Sequence, residues 1–259
     1  MIFSKTAFIY GHYIDETNYL LPFDEGSGEL LAELNSGAYT IDEFIDEIAR
    51  ALNEAGSLDY LTTLDRENRL ITISASGNFD LLVSSGSVIG NDCFALAGFT
   101  GADLTGASSY ESNITSGFEY RPQFDLQDYI DAEDDQEANQ VSVNESTSGI
   151  NVETISYGQL EYFSFNIALA NDYEHAKDSP IREDLNGVLN LRNFLKYITK
   201  KRQIEFIPDI TNYNNYYNIL LESTSKSKDG TGYLLKELYA DGLVGYYESG
   251  ILRFRKLWQ

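Results

Sequence analysis

The chain has 259 residues, 42% of them hydrophobic, with 18 basic against 41 acidic residues and a net charge of −23. That length suits one large domain or two small ones, and that apolar content builds a core, which excludes wholesale disorder. The charge excludes tight binding to a nucleic-acid backbone, because few cations are on offer to replace phosphate counterions.

The charge is unevenly spread. Residues 1–140 hold 5 basic and 26 acidic residues, a balance of −21, whereas residues 141–259 hold 13 and 15, a balance of −2. A ring of such subunits suits a passage through which DNA slides without sticking. The same charge also keeps an abundant protein soluble. The single cysteine, Cys93, forms no internal disulfide, so synthesis in a reducing cytoplasm is expected. The sequons Asn113-Ile114-Thr115 and Asn144-Glu145-Ser146 then carry no weight. The start, Met1-Ile2-Phe3-Ser4-Lys5, lacks the apolar region of a secretory signal. Apolar runs are only a few residues long, so no transmembrane helix is expected.

In chain order, the first well-defined element is a helix. Thr40 stands at an N-cap position with Glu43 three residues on, the spacing of a capping box. Tyr39 and Phe44 are placed for a hydrophobic staple. Ile41, Phe44, Ile45, Ile48 and Leu52 recur at helical spacing and predict one buried face. Asp42, Glu43, Asp46 and Glu47 favour the positive end of the helix dipole. Gly56 is expected to end the helix as a left-handed cap.

Strands follow. Leu58, Tyr60, Thr62 and Leu64 alternate with Asp59, Leu61 and Thr63. Asp65-Arg66-Glu67-Asn68 reads as a turn, Leu70 to Ile73 as the return strand, and Gly77-Asn78 as a reversal into Phe79 to Val83. Residues 98–117, rich in Gly, Ser, Ala and Thr, read as an extended arm or loop. Asp131 to Asn139 is an acidic run, read as a linker or exposed loop. A calcium loop is the alternative, but the glycine and terminal glutamate of an EF-hand are missing.

Beyond it, 149–154 and 159–169 read as strands. Val188, Leu191, Phe194, Leu195 and Ile198 share one helix face. Lys200-Lys201-Arg202 follows that helix, complementing its dipole or meeting an acidic partner. Ile204 to Asp209 reads as a strand ended by Pro208. Short aromatic-rich strands are expected at 216–221, 233–239, 243–247 and 251–257. Tyrosine, with 19 copies, suits strands and subunit contacts. The fold expected is α+β and β-rich, antiparallel sheets or a sandwich with one amphipathic helix in each half. Its domains are 1–130, an acidic segment 131–140, and 141–259.

No motif marks a reaction. Histidine occurs only at His12 and His175, so triads have few bases to draw on. Cys93 sits beside Asp92 and Phe94, surroundings that raise a thiol's pKa. Clustered zinc ligands, a phosphate-cradling P-loop and a nucleophile elbow are all absent from the sequence. Ser223-Thr224-Ser225-Lys226 matches S-x-x-K but lacks the companion motifs. Glycosidases need only two well-placed acids, yet no pair stands out, and the sole tryptophan is the penultimate Trp258. No catalytic, cofactor-binding or metal-ligating residue is assigned, and no cofactor is expected.

A longer pattern is informative. Gly37-Ala38-Tyr39-Thr40, Ala51-Leu52-Asn53-Glu54-Ala55-Gly56, Ile71-Thr72-Ile73, Phe79-Asp80-Leu81-Leu82 and Leu96-Ala97-Gly98-Phe99-Thr100 come in that order. Together they resemble a module of virion structural proteins of tailed bacteriophages, in which a helix leads into paired strands and a closing L-x-G-F-T. Leu189 to Lys201, Glu205 to Asp209 and Gly250 to Arg255 look more loosely like phage tail or neck proteins. The resemblance implies a non-enzymatic virion component, made in the host cytoplasm and assembled as a ring of tube, terminator, distal-tail or collar type. Its implied partners are copies of itself and neighbouring virion proteins, and it carries over no functional residues. A receptor- or glycan-binding module of a virion appendage is the first alternative, and a carboxylate-dependent glycoside hydrolase the second.

Overall fold

Antiparallel strands dominate the computed structural model, which describes residues 5–122, 141–145, 152–156, 162–167, 170–171, 188–224, 236–237 and 246–257. The fold is α+β and β-rich. Two compact units interleave in sequence: one joins 8–120 to 202–216, the other holds 1–7, 121–201 and 217–259.

The first unit starts with β1 (Ala7–Tyr10), β2 (Tyr13–Ile14), β3 (Leu20–Asp24), β4 (Glu29–Glu33) and β5 (Gly37–Ala38). Helix α1 (Ile41–Ala55) follows, then β6 (Tyr60–Asp65), β7 (Leu70–Leu81), α2 (Phe94–Ala97), β8 (Leu104–Glu111) and β9 (Phe118–Tyr120). One sheet runs β4-β3-β7-β6, with β8 along the other edge of β7. Helix α1 lies on β4 and β6. Between helix and sheet sit Phe23, Phe44, Ile48, Leu52, Ile71, Ile73, Phe79 and Leu81, all buried.

The capping box forms as the spacing predicts. Thr40 Oγ1 accepts the Glu43 N–H at 3.2 Å, and Glu43 Oε2 accepts the Thr40 N–H at 2.9 Å. All five residues of the predicted apolar face are buried. The other end differs from expectation. Gly56 is extended, with φ −95° and ψ −178°, rather than left-handed. Its N–H still donates to Leu52 O at 2.8 Å, and the need for glycine is steric. A Cβ there would lie 2.4 Å from Glu25 Oε1, the carboxylate that accepts the Ser57 and Leu58 N–H groups beyond the helix.

Two further expectations need correction. The chain does not reverse at Gly77-Asn78. β7 runs straight through to Leu81, trading β6 for β3 as its partner on one edge. Against β8 its register shifts between Ser74 and Phe79, so the extra residues are absorbed as a bulge. Nor is 98–117 merely an arm. β8 adds a strand to the sheet, Ser112 and Ser116 are buried, and β9 begins at Phe118. Small polar residues here are sheet and core contacts, which composition does not distinguish from loop.

The later chain carries β10 (Val141–Glu145), β11 (Val152–Ser156), β12 (Tyr162–Asn166), β13 (Ala170–Asn171), α3 (Val188–Ile198) and β14 (Ile204–Ile207). It ends with β15 (Tyr217–Thr224), β16 (Lys236–Glu237), β17 (Tyr246–Glu248) and β18 (Ile251–Lys256). β14 returns to the first unit and lies beside β1, whose other neighbour is β9. Phe8 joins them, its ring 5.3 Å from Phe206 and 6.4 Å from Tyr120. In the second unit β12, β18 and β15 are neighbours in that order, and β10 pairs with β11. Phe165, Leu221, Leu252 and Phe254 are buried there. Leu191, Phe194, Leu195 and Ile198 of α3 are buried as their spacing predicts. The acidic run 131–139 lies outside the described residues.

Candidate functional site

Polar groups of the first unit gather around one buried carboxyl at the N-terminal end of α1, brought there from distant parts of the chain. Glu205, on β14 and 1% exposed, accepts the Ile41 N–H through Oε1 at 3.0 Å. Arg66, from the turn after β6, donates to Glu205 Oε2 at 3.0 Å and also to Asp42. The Arg66 guanidinium lies 3.8 Å from the centre of the Tyr216 ring. The Tyr216 hydroxyl donates to Asp42 Oδ2 at 2.7 Å. Gln203 donates to Ala38 O at 3.0 Å and to Glu43. A helix start suits this role, since its free N–H groups and dipole attract carboxylates.

A second group adjoins it in sequence and space. Arg69 donates to Glu119 Oε2 at 3.0 Å and to Ser116 O at 3.3 Å. The Tyr213 hydroxyl donates to Glu119 Oε1 at 3.0 Å. His12 Nε2 lies 3.0 Å from Ser116 Oγ, which donates to Leu96 O at 2.9 Å. Arg66, Arg69, Glu205 and Tyr213 line one crevice with Ile9, Ile41 and Ile207, and it has no room for a water molecule.

The electrostatics follow from burial. Loss of water pushes the Glu205 carboxyl up to about 7, although Arg66 and the Ile41 N–H pull it back. Burial, and then the positive charge of Arg69, pushes His12 down to about 3, so the imidazole is neutral at ordinary pH. A histidine beside a serine is the start of a nucleophilic arrangement. Ser116 is fully buried, however, and its hydroxyl proton is committed to a backbone carbonyl. The chemistry available to these groups is mutual neutralisation: they clamp residues 202–216 to the helix start and to β9.

The other sequence candidates are placed as follows. Cys93 is buried, and burial followed by the charge of Asp92 pushes its thiol up to about 12. Ser223 pairs in register with Arg253 near the end of β15. Ser225, Lys226, His175 and Trp258 lie outside the described residues. Among the described residues, no three of His, Cys, Asp and Glu converge to hold a metal.

Sequence reasoning missed the Glu205 cluster, because its partners stand 139 and 164 residues away. The available signal was a lone acid in the otherwise apolar strand Ile204-Glu205-Phe206-Ile207. A charge inside such a strand needs a buried partner. No protein-family model matches this chain, and neither does any curated protein.

Proposed function

We propose that this chain is a non-enzymatic structural protein of a tailed-phage virion, repeated as a ring in the neck or tail. One observation carries the reading. The residues that resemble the phage module occupy fold-determining positions: Thr40 caps α1, Leu52 packs its last turn, and Ile71, Ile73, Phe79, Leu81 and Phe99 fill the core. Gly98 takes the left-handed φ of +86° that ends α2. The shared pattern is therefore one of architecture, as expected of a building block whose work is assembly.

The charge fits the same role. Residues 8–120 and 202–216 carry 4 basic and 21 acidic residues, a balance of −17. A ring presenting this unit inward lets DNA pass without gripping its phosphates. No helix among the described residues is long and apolar enough to cross a membrane.

Electron microscopy of purified particles, with the protein labelled by antibody, tests the proposal. A closed ring at the neck or tail is the expected result. A trimeric appendage at the tail tip would favour receptor or glycan binding instead. A monomer that cleaves polysaccharide in solution would overturn both.

A further inference from the structure

Helix α3 carries a cationic face on an acidic protein. Arg192, Lys196 and Lys200 follow one another at four-residue intervals, so they align on one side of the helix and the turn that ends it. All three are exposed. The segment 188–202 contains five cations and no acid. Two are engaged: Lys201 Nζ donates to Leu221 O and Glu222 O at 2.6 Å, and Arg202 lies 3.3 Å from the centre of the Tyr13 ring. Arg192 lies 5.7 Å from the centre of the Tyr247 ring. The side chains of Lys196 and Lys200 have no carboxylate partner among the described residues.

The opposite charge is available on the first unit. Of its four cations, Arg50, Arg66 and Arg69 are paired with carboxylates and Arg202 is stacked on tyrosine. Its balance of −17 is thus presented to the surroundings with little relief. We infer that the α3 face, Arg192-Lys196-Lys200, docks onto the acidic first unit of a second copy of this chain. The contact joins unlike surfaces, so it repeats head to tail and either closes as a ring or continues as a filament. Three cations on a chain of −23 are a poor grip on nucleic acid, whose neighbouring phosphates would meet the acidic unit as well. Each exposed pair of this kind adds little alone, so the three act together on affinity while also setting register and association rate.

The inference rests on the ring reading, and one experiment separates the two. Sedimentation velocity compares the full chain with R192E/K196E/K200E and with R192Q/K196Q/K200Q, at about 50 and about 500 mM salt. Circular dichroism confirms that each variant is folded. Association of the natural chain at low salt, weakened about tenfold by high salt or by the glutamine variant and abolished by the glutamate variant, supports the inference. Assembly that ignores both salt and substitution overturns the α3 contact and leaves the ring standing. A chain that stays monomeric throughout overturns both. Low-salt binding of a short DNA duplex that the glutamate variant loses assigns the face to nucleic acid and overturns the inference.

Discussion

Glu205 accepts the Ile41 backbone N–H at 3.0 Å across 164 residues of sequence. A carboxylate from a returning strand thus occupies a donor that the helix itself leaves open. Thr40 satisfies Glu43, Glu43 satisfies Thr40, and Glu205 takes the first helical N–H. Arg66 balances the charge so collected.

This arrangement predicts an unusual pH response. Glu205 moves from 4.5 in its ordinary state to about 7 in the fold. The folded chain binds the extra proton between those values, so this group lowers stability as pH rises through that window. His12 moves the other way, from 6.5 to about 3. The unfolded chain binds its proton there, so stability is lost as pH falls from 6.5 toward 3. The two slopes oppose each other between about 4.5 and 6.5. Urea midpoints across that range should rise more steeply with pH in Glu205→Gln than in the natural chain. In His12→Asn they should rise less steeply or fall. Unaltered slopes in both variants would refute the assignment.

Phe44 is fully buried, with the His12 ring 5.2 Å away. Replacing it with Ala should cost about 3–5 kcal/mol. Thermal stability equal to that of the natural chain would remove Phe44 from the core.

Two glycines should respond for different reasons. At Gly98, with φ +86°, an added Cβ would stand 2.2 Å from Ile114 O, a backbone atom. Gly98→Ala should therefore destabilise by more than about 1 kcal/mol in any background. At Gly56 the backbone is extended and the obstacle is the Glu25 carboxylate. Gly56→Ala should cost less beside Glu25→Ala than alone, with a remainder set by Tyr60 Cε2 and Leu52 O at 3.0 and 3.1 Å from the added Cβ, a coupling that a double-mutant cycle reads directly. A cost of equal size with and without Glu25 would remove that carboxylate as the obstacle.

Cys93 is buried and its thiol is pushed up to about 12. The native protein should resist a thiol reagent at pH 8, and labelling should track global unfolding in denaturant. Rapid native labelling would contradict the burial.

Helix α1 was legible because its cap, face and first-turn acids all act within a few residues of one another. The same holds for α3 and for the strand that ends before Pro208. β1, β3 and β4 carried no comparable local signal, since their apolar residues acquire meaning only against distant partners, β9 and β14 for β1 and the α1–β7 layer for β3 and β4. The reversal expected at Gly77-Asn78 failed for a related reason. Glycine permits a turn, but whether a strand bends or bulges depends on which neighbours it must pair with.

By itself, then, the sequence determined the local elements, the segregation of charge and the character of the chain as an α+β protein rich in antiparallel strands. Caps, periodicity and net charge are properties of near neighbours or of simple sums. Only the tertiary structure decided that residues 202–216 return to the first unit, that Glu205 closes the start of α1, and that Arg192, Lys196 and Lys200 stand exposed. Those outcomes depend on burial and on partners more than a hundred residues away, and neither is written in any one stretch of chain.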